Sequence, residues 1–344
     1  MLMVVFGAGA SYDVRPRPAP PTASDAVVPL AVQLFDPLYG MFAVRYAACQ
    51  PLLKRLRAAG HNVEQELEAI RTEAVHQTFL ARQLEAVRYY LAALIEDAEV
   101  RCLRALPDHV TNYIDLLQDI EDWRVRSGER ERVCLVTFNY DTLLDRACRA
   151  VLGLKLNALG DYISEGDYIV LKLHGSIEWR EEVDPPGRPL LGGDVEQANQ
   201  LIDLTGRYQR TGRYSMPGQN LIGWGPLRPA LAVPMVSKTG DDFACPREHV
   251  DVLEQMVPHV SHLLVVGWRG AEGHFHERWN RAATRKTVLQ KALVVDVSEK
   301  AAANVDGTLK RSMVIGGGVR WDWAIQGFSS FVQASAVKAF LAAT

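Results

Sequence analysis

Five short apolar runs, each closed by a residue with turn or polar chemistry, constrain this chain more than any other feature. They are Leu2–Phe6, Val133–Phe138, Tyr168–Leu173, His262–Val266 and Ala292–Val297, five or six residues each and rich in Val, Leu and Ile. None alternates apolar with polar residues, so each reads as a strand covered on both faces by helices. Gly7, Asn139, His174, Gly267 and Ser298 follow them closely, and most lead into a helix-forming stretch. That rhythm predicts an α/β fold with a doubly wound, mostly parallel sheet, in which ligands sit at the carboxyl ends of the strands. Leu231–Val236 is a candidate sixth strand.

The first two runs are separated by far more chain than a crossover needs. Residues from about 32 to 122 are rich in Leu, Ala, Glu, Gln and Arg, and Leu84, Val87, Leu91, Leu94 and Ile95 recur near helical spacing. A simple crossover takes about a dozen residues, so this stretch reads as a large helical insertion in a Rossmann-like sheet. We assign residues 1–40 and 128–344 to the sheet domain and 41–127 to the insertion. The proline-rich Arg15–Pro21 precedes the insertion, and the polar Arg124–Arg132 closes it. Glu181–Pro229, with several Gly and Pro and few long apolar runs, reads as a loop-rich excursion.

Composition excludes several classes. A chain of 344 residues is long enough to bury a substantial core. A formal net charge of −3 argues against direct nucleic-acid binding over a broad surface. Cys49, Cys102, Cys134, Cys148 and Cys245 stand far apart without a C-x-x-C pair, which suits a reducing cytoplasm rather than a zinc knuckle or disulfide framework. No apolar window is long enough for a membrane span, and Gly7 arrives too early for a signal peptide.

Three strand exits carry chemistry. Gly7-Ala8-Gly9-Ala10-Ser11 follows the first run, where glycine permits a sharp turn and close approach of a pyrophosphate. Amides at a following helix N-terminus would attract its charge, and Arg15, Arg17 and the Ser11 hydroxyl stand near. A tight strand–helix turn explains the same residues, and Tyr12 replaces the third glycine of the hydride-transfer fingerprint. The second exit reads Thr137-Phe138-Asn139-Tyr140-Asp141. An amide there can orient a ribose hydroxyl and a water, and a carboxylate can stabilise positive charge; each residue could also serve as a turn former or helix cap. The third exit carries His174-Gly175-Ser176, and an imidazole at that position suits proton transfer near neutral pH. Gly267 repeats the strand–glycine turn, and Asp296 is placed to accept ribose hydroxyls. His274 and His276, two residues apart, would fall on different helix faces, so no metal is expected.

In order and spacing, Gly7-Ala8-Gly9-Ala10-Ser11, Thr137-Phe138-Asn139-Tyr140-Asp141 and Leu173-His174-Gly175-Ser176 together resemble the sirtuin family. The likeness is greatest to its bacterial antiphage-defence branch, whose activity is NAD hydrolysis. The resemblance implies that Asn139, Asp141 and His174 form the catalytic set, with NAD as substrate. Asn139 would hold the nicotinamide ribose and the attacking water, Asp141 would support the pocket and His174 would act as general base. It also implies that Gly7, Ala8, Gly9, Ala10, Ser11, Gly267 and Asp296 hold the dinucleotide. Two departures count against protein deacylation: no four-cysteine zinc ribbon can be built, and Phe138 stands where the deacylating members carry glutamine. The resemblance further implies a homo-oligomer, and a phage-sensing partner such as a HerA-type ATPase or an Argonaute-type protein. A non-catalytic NAD or ADP-ribose sensor, a deacylase and a structural subunit are the rival readings.

Overall fold

The apolar runs form a sheet because their side chains carry almost nothing that needs water, while their backbone groups need partners that only neighbouring strands supply. The computed structural model describes residues 1–16, 25–127, 131–185, 190–218, 225–235, 243–283 and 288–342. Arg17 and Val236 lie outside the described residues.

In chain order, β1 (Leu2–Phe6) leads to α1 (Ala8–Tyr12), followed by α2 (Gly40–Arg45), α3 (Gln50–Ala59), α4 (Val63–Ala74), α5 (Thr78–Arg104) and α6 (Asn112–Ser127). Next come β2 (Val133–Thr137), α7 (Leu143–Leu152), β3 (Tyr168–Lys172), β4 (Gly175–Asp184), α8 (Asp194–Asp203), β5 (Gln209–Ser215) and β6 (Leu227–Leu231). The chain ends with α9 (Arg247–Met256), β7 (His262–Val266), α10 (Gly273–Ala282), β8 (Lys291–Val295), α11 (Glu299–Ser312), β9 (Arg320–Ala324), α12 (Gly327–Gln333) and α13 (Ala336–Ala342). No helix of the described residues is long and apolar enough to cross a membrane.

One sheet is fully parallel, in the order β3-β2-β1-β7-β8-β9. The chain lays β2 and β3 on one side of β1, then returns to lay β7, β8 and β9 on the other. That is the strand order of doubly wound dinucleotide-binding folds, and the reversal between β1 and β7 is its topological switch point. Phe6 pairs with both Thr137 and Val266, Thr137 with Lys172, and Val266 with Val295. The strand exits are therefore level. β1, β2, β3 and β7 are buried along their whole length. The ladder runs one residue past β2 and β3, since Phe138 N–H donates to Phe6 O at 3.1 Å and Leu173 N–H to Thr137 O at 3.1 Å.

Two sequence expectations need correction. Among its described residues, Glu181–Pro229 is not mainly loop: it contains α8, β5 and parts of β4 and β6 in an antiparallel sheet ordered β5-β4-β6. The pattern is hidden because this sheet buries charge. Arg228 lies between Glu181 (2.7 Å) and Glu85 of α5 (2.9 Å), and Arg210 pairs with Glu181 at 2.6 Å. Likewise, the described part of the Leu231–Val236 run, residues 231–235, is not a strand of the main sheet; β6 ends at Leu231, and the sixth parallel strand is β9. Its sequence, Arg-Trp-Asp-Trp-Ala, lacks an apolar run because it is an edge strand with no fully buried residue.

The helices between β1 and β2 turn toward the strand exits. α5 buries Leu80, Val87, Leu91, Leu94 and Ile95, the spacing expected of one apolar face. The start of α6 is tied to the loop after α1, where Asn112 N–H donates to Val14 O at 2.8 Å and its Nδ2 to Asp13 O at 2.6 Å. Ser329 of α12 joins the same loop, accepting from Asn112 Nδ2 at 3.0 Å and bonding the Asp13 carboxylate through N–H and hydroxyl.

Candidate active site at the strand exits

The glycine loop packs backbone against backbone. Gly7 N–H donates to Val266 O at 3.1 Å and Gly9 N–H to Gly267 O at 3.0 Å. A Cβ on Gly7 would lie 2.5 Å from Trp268 Cα, and one on Gly9 would lie 2.8 Å from Gly267 Cα. Gly267 has φ +57°, and its Cβ would lie 2.4 Å from Ala10 N. Each glycine thus has a packing reason, the contact between the exits of β1 and β7, independent of any phosphate. α1 is only five residues long, and the Gly7 and Gly9 amides are already committed to the sheet. Ala8 is exposed and Gly9 partly so, which makes them the outer surface of the turn, whereas Ala10 and Ser11 face inward. Arg15 lies 3.6 Å from Asp25.

Asn139 is held against this loop. Its Nδ2 donates to Gly7 O (2.9 Å), Ser11 Oγ (2.9 Å) and Tyr113 Oη (3.2 Å), and Ser11 Oγ lies 3.0 Å from Tyr113 Oη. A backbone carbonyl can only accept, so Gly7 O fixes which end of the amide faces the loop. Oδ1 is then the end that can accept from a ligand hydroxyl or a water. Tyr113, contributed by α6, is a site residue the sequence did not reveal; a tyrosine on an amphipathic helix carries no signal of its own. Burial pushes its phenol far above the usual range, so it stays protonated as a hydrogen-bond donor.

Asp141 turns the chain into α7 from one residue before its N-cap, with Oδ1 accepting from Leu143 N at 3.1 Å. It is 3% exposed, and burial, followed by the nearby Glu99, pushes its carboxyl up to about 6 against the opposing pull of Lys172. Beneath it, Lys172 Nζ donates to Asp141 O at 2.5 Å and to Asp145 Oδ2 at 2.7 Å, while Tyr162 Oη donates to Asp145 Oδ1 at 2.5 Å. Both Lys172 and Asp145 are 0% exposed. Glu99 of α5 accepts from Thr142 N at 2.7 Å and from Arg146 Nε at 2.9 Å, fixing the same turn from the insertion side.

His174 stands two residues past β3 and is followed by Gly175 at φ +82°, where a Cβ would lie 1.8 Å from Ala230 O. Only glycine fits between the exit of β3 and the start of β4, which explains the His-Gly pair. The buried imidazole is 4.8 Å from the Phe138 ring and 5.3 Å from the His274 ring between centroids, with Nε2 atoms 3.3 Å apart. Phe138 stacks on Trp268 at 5.1 Å and meets Phe275 edge-on at 5.7 Å, so an aromatic layer covers the exits.

The geometry brings together Gly7, Ser11, Asn139 and Gly267 directly, with Asp141 and His174 on the same edge. Asp296 is farther off, two strand spacings from β1, about 10 Å. Its Oδ1 accepts from Val297 N at 2.7 Å, and burial raises its carboxyl above the ordinary value. His276 diverges from His274 and packs on Trp268 at 6.0 Å, with burial pushing its imidazole down to about 4. Among the described residues, no group of three or more His, Cys, Asp or Glu side chains is arranged to hold a metal.

No protein-family profile matches the chain, and no curated protein matches it in sequence. Solved structures similar to it include a Sir2 in complex with an inhibitor, 2'-O-acetyl-ADP-ribose and a deacetylated peptide, at 14% identity and TM-score 0.39, covering 99% of this chain and 94% of that one. A mutant Sir2 homologue in complex with ADP-ribose is similar at 14% identity and TM-score 0.40, covering 99% and 93%. A Sir2 homologue–NAD complex is similar at 12% identity and TM-score 0.38, covering 98% and 89%.

Proposed function

We propose that this chain binds NAD across the switch point and hydrolyses its nicotinamide–ribose bond. The observation that carries the reading is the placement of Asn139 and His174 at the level exits of β2 and β3, on one side of β1, with the Asn139 amide oriented by the Gly7 carbonyl. The exits of β3 and β8 are four strand spacings apart, about 19 Å, which gives a dinucleotide room to lie across the edge. Ala8 and Gly9 would meet the pyrophosphate, Gly267 and Asp296 the adenosine half, and Asn139 and His174 the nicotinamide ribose.

In this reading nicotinamide leaves as a neutral molecule from a pyridinium, so no strong acid is needed. Positive charge develops on the ribosyl group, where preorganised polar groups stabilise it better than bulk water. Asn139 Oδ1 accepts from the incoming water, and His174 takes the proton the water loses. Asp141, held by the Leu143 amide above the Lys172–Asp145 pair, supports the developing charge in its ionised form.

Burial adds a further element. Asn139, Asp141 and His174 are 7%, 3% and 3% exposed, so substrate entry requires the aromatic layer to move. This supports an enzyme held closed until a partner or self-assembly opens it, as expected of a cytoplasmic antiphage effector that depletes NAD. The same burial favours, as second reading, a sensor that binds NAD or ADP-ribose without cleaving it. Incubation with NAD, followed by quantification of nicotinamide and ADP-ribose, separates the two. Release that is lost in Asn139→Ala and His174→Ala supports the enzyme; nucleotide binding without release supports the sensor.

A further inference from the structure

His274 lies outside the catalytic set just described, yet its ring nitrogen faces that of His174. The two Nε2 atoms are 3.3 Å apart, the rings are nearly parallel at 15°, and His174 and His274 are 3% and 0% exposed. Phe138 and Tyr140 from the β2 exit pack on His174, and Phe138 and Phe243, over which the Arg278 guanidinium lies at 5.9 Å, pack on His274. Trp268, bonded to Glu272, stacks on Phe138, and Phe275 and His276 follow His274 on α10. The surface is mostly aromatic. A contact of this length between two ring nitrogens places the proton on one imidazole or the other.

That constraint has a chemical consequence. Two facing ring nitrogens form a hydrogen bond only when one carries hydrogen and the other a lone pair. For a neutral His174 to accept a proton from water or from a ribose hydroxyl, its Nδ1 must be bare, so its Nε2 must carry the hydrogen. His274 must then present a bare Nε2 and carry its own proton on Nδ1. We propose that His274 is a positioning residue that accepts the His174 Nε2–H and so fixes His174 in its basic tautomer. This rests on the hydrolytic reading above. When the water's oxygen bonds to the ribosyl carbon, its proton passes to His174 Nδ1 and the C–N bonding pair leaves with nicotinamide. The imidazolium so formed donates a charge-assisted bond to His274, which offsets the cost of charge within an aromatic layer. The opposite tautomer would make His174 Nδ1–H, a donor unable to act as base.

The test has two arms. In ¹⁵N-labelled full-length protein, long-range ¹H–¹⁵N spectra assigned with single histidine variants read the tautomers directly, whether or not the chain turns over NAD. Nε2–H on His174 and Nδ1–H on His274 support the proposal; the reverse pair overturns it. In the second arm, nicotinamide release is followed against pH for wild type, His274→Phe and His274→Gln. His274→Phe should lower kcat by roughly tenfold or more, move the acid limb to lower pH and leave KM nearly unchanged. His274→Gln, whose Oε1 can accept the same hydrogen bond, should restore much of kcat. Equal profiles for all three proteins overturn the proposal, as does loss of activity on chelation with recovery on adding zinc, which would make the pair metal ligands. Should wild type release no nicotinamide in any state of assembly, the hydrolytic reading fails, and the tautomer spectra still decide the pairing.

Discussion

Asp141→Asn should make the protein more stable and less active, and the gain should depend on pH. In the folded chain the carboxyl is pushed up from 3.8 to about 6, first by burial and then by Glu99. A carboxyl that holds its proton more tightly when folded stabilises the fold below its unfolded value, and that contribution is lost as pH rises through the folded value. The gap is about two pH units, which at 1.36 kcal/mol per unit is about 3 kcal/mol. Above pH 7 the wild-type protein therefore carries an ionised buried group at that cost. Asparagine matches the shape, keeps the acceptor for the Leu143 amide and removes the charge. Urea denaturation at pH 8 should show the variant more stable by up to about 3 kcal/mol, and the difference should shrink toward zero near pH 4. Nicotinamide release should fall in the same variant, because the amide cannot support positive charge. If the two proteins have equal midpoints at pH 8, the Lys172 side chain already compensates for the buried charge and the reasoning is wrong.

Other residues give independent checks. Gly267→Ala places a Cβ 2.4 Å from Ala10 N at a left-handed φ, so thermal unfolding should show a loss of about 2 kcal/mol or more. Lys172→Met strands the fully buried Asp145 carboxylate and should cost about 3–5 kcal/mol by urea denaturation, with part recovered when Asp145 is also made apolar. Tyr113→Phe removes the hydroxyl shared by Ser11 and Asn139; it should cost about 1 kcal/mol and lower kcat with little change in KM. A Tyr113→Phe enzyme with wild-type kcat would mean that the phenol does not hold Asn139 in place.

The main sheet was legible because its inner strands are nearly all apolar, so Leu2–Phe6 and His262–Val266 announced their own boundaries. β9 was not, because an edge strand reading Arg-Trp-Asp-Trp-Ala has too little burial to leave a pattern. The β4–β6 sheet was missed for a related reason: Glu181 and Arg228 are buried as ion partners, which composition reads as a solvated surface. Glycines signalled turns correctly but not their cause, since Gly7 and Gly9 are required by the Gly267–Trp268 backbone. Asn139 and His174 stood out because strand exits are short and local. Tyr113 and Glu99 did not, and His274 was weighed only as half of a metal pair with His276, because each reaches the site from a helix distant in sequence, where only the fold supplies the proximity.

The central claim is that Asn139, oriented by the Gly7 carbonyl, and His174 cleave NAD at the exits of β2 and β3. Time-resolved quantification of free nicotinamide from NAD, with the purified chain at concentrations that span any self-assembly, tests it most directly. The account predicts stoichiometric nicotinamide and ADP-ribose in wild type, and loss of both in Asn139→Ala with the fold intact. Undiminished release by folded Asn139→Ala, or nucleotide binding without release in any state of assembly, would contradict it.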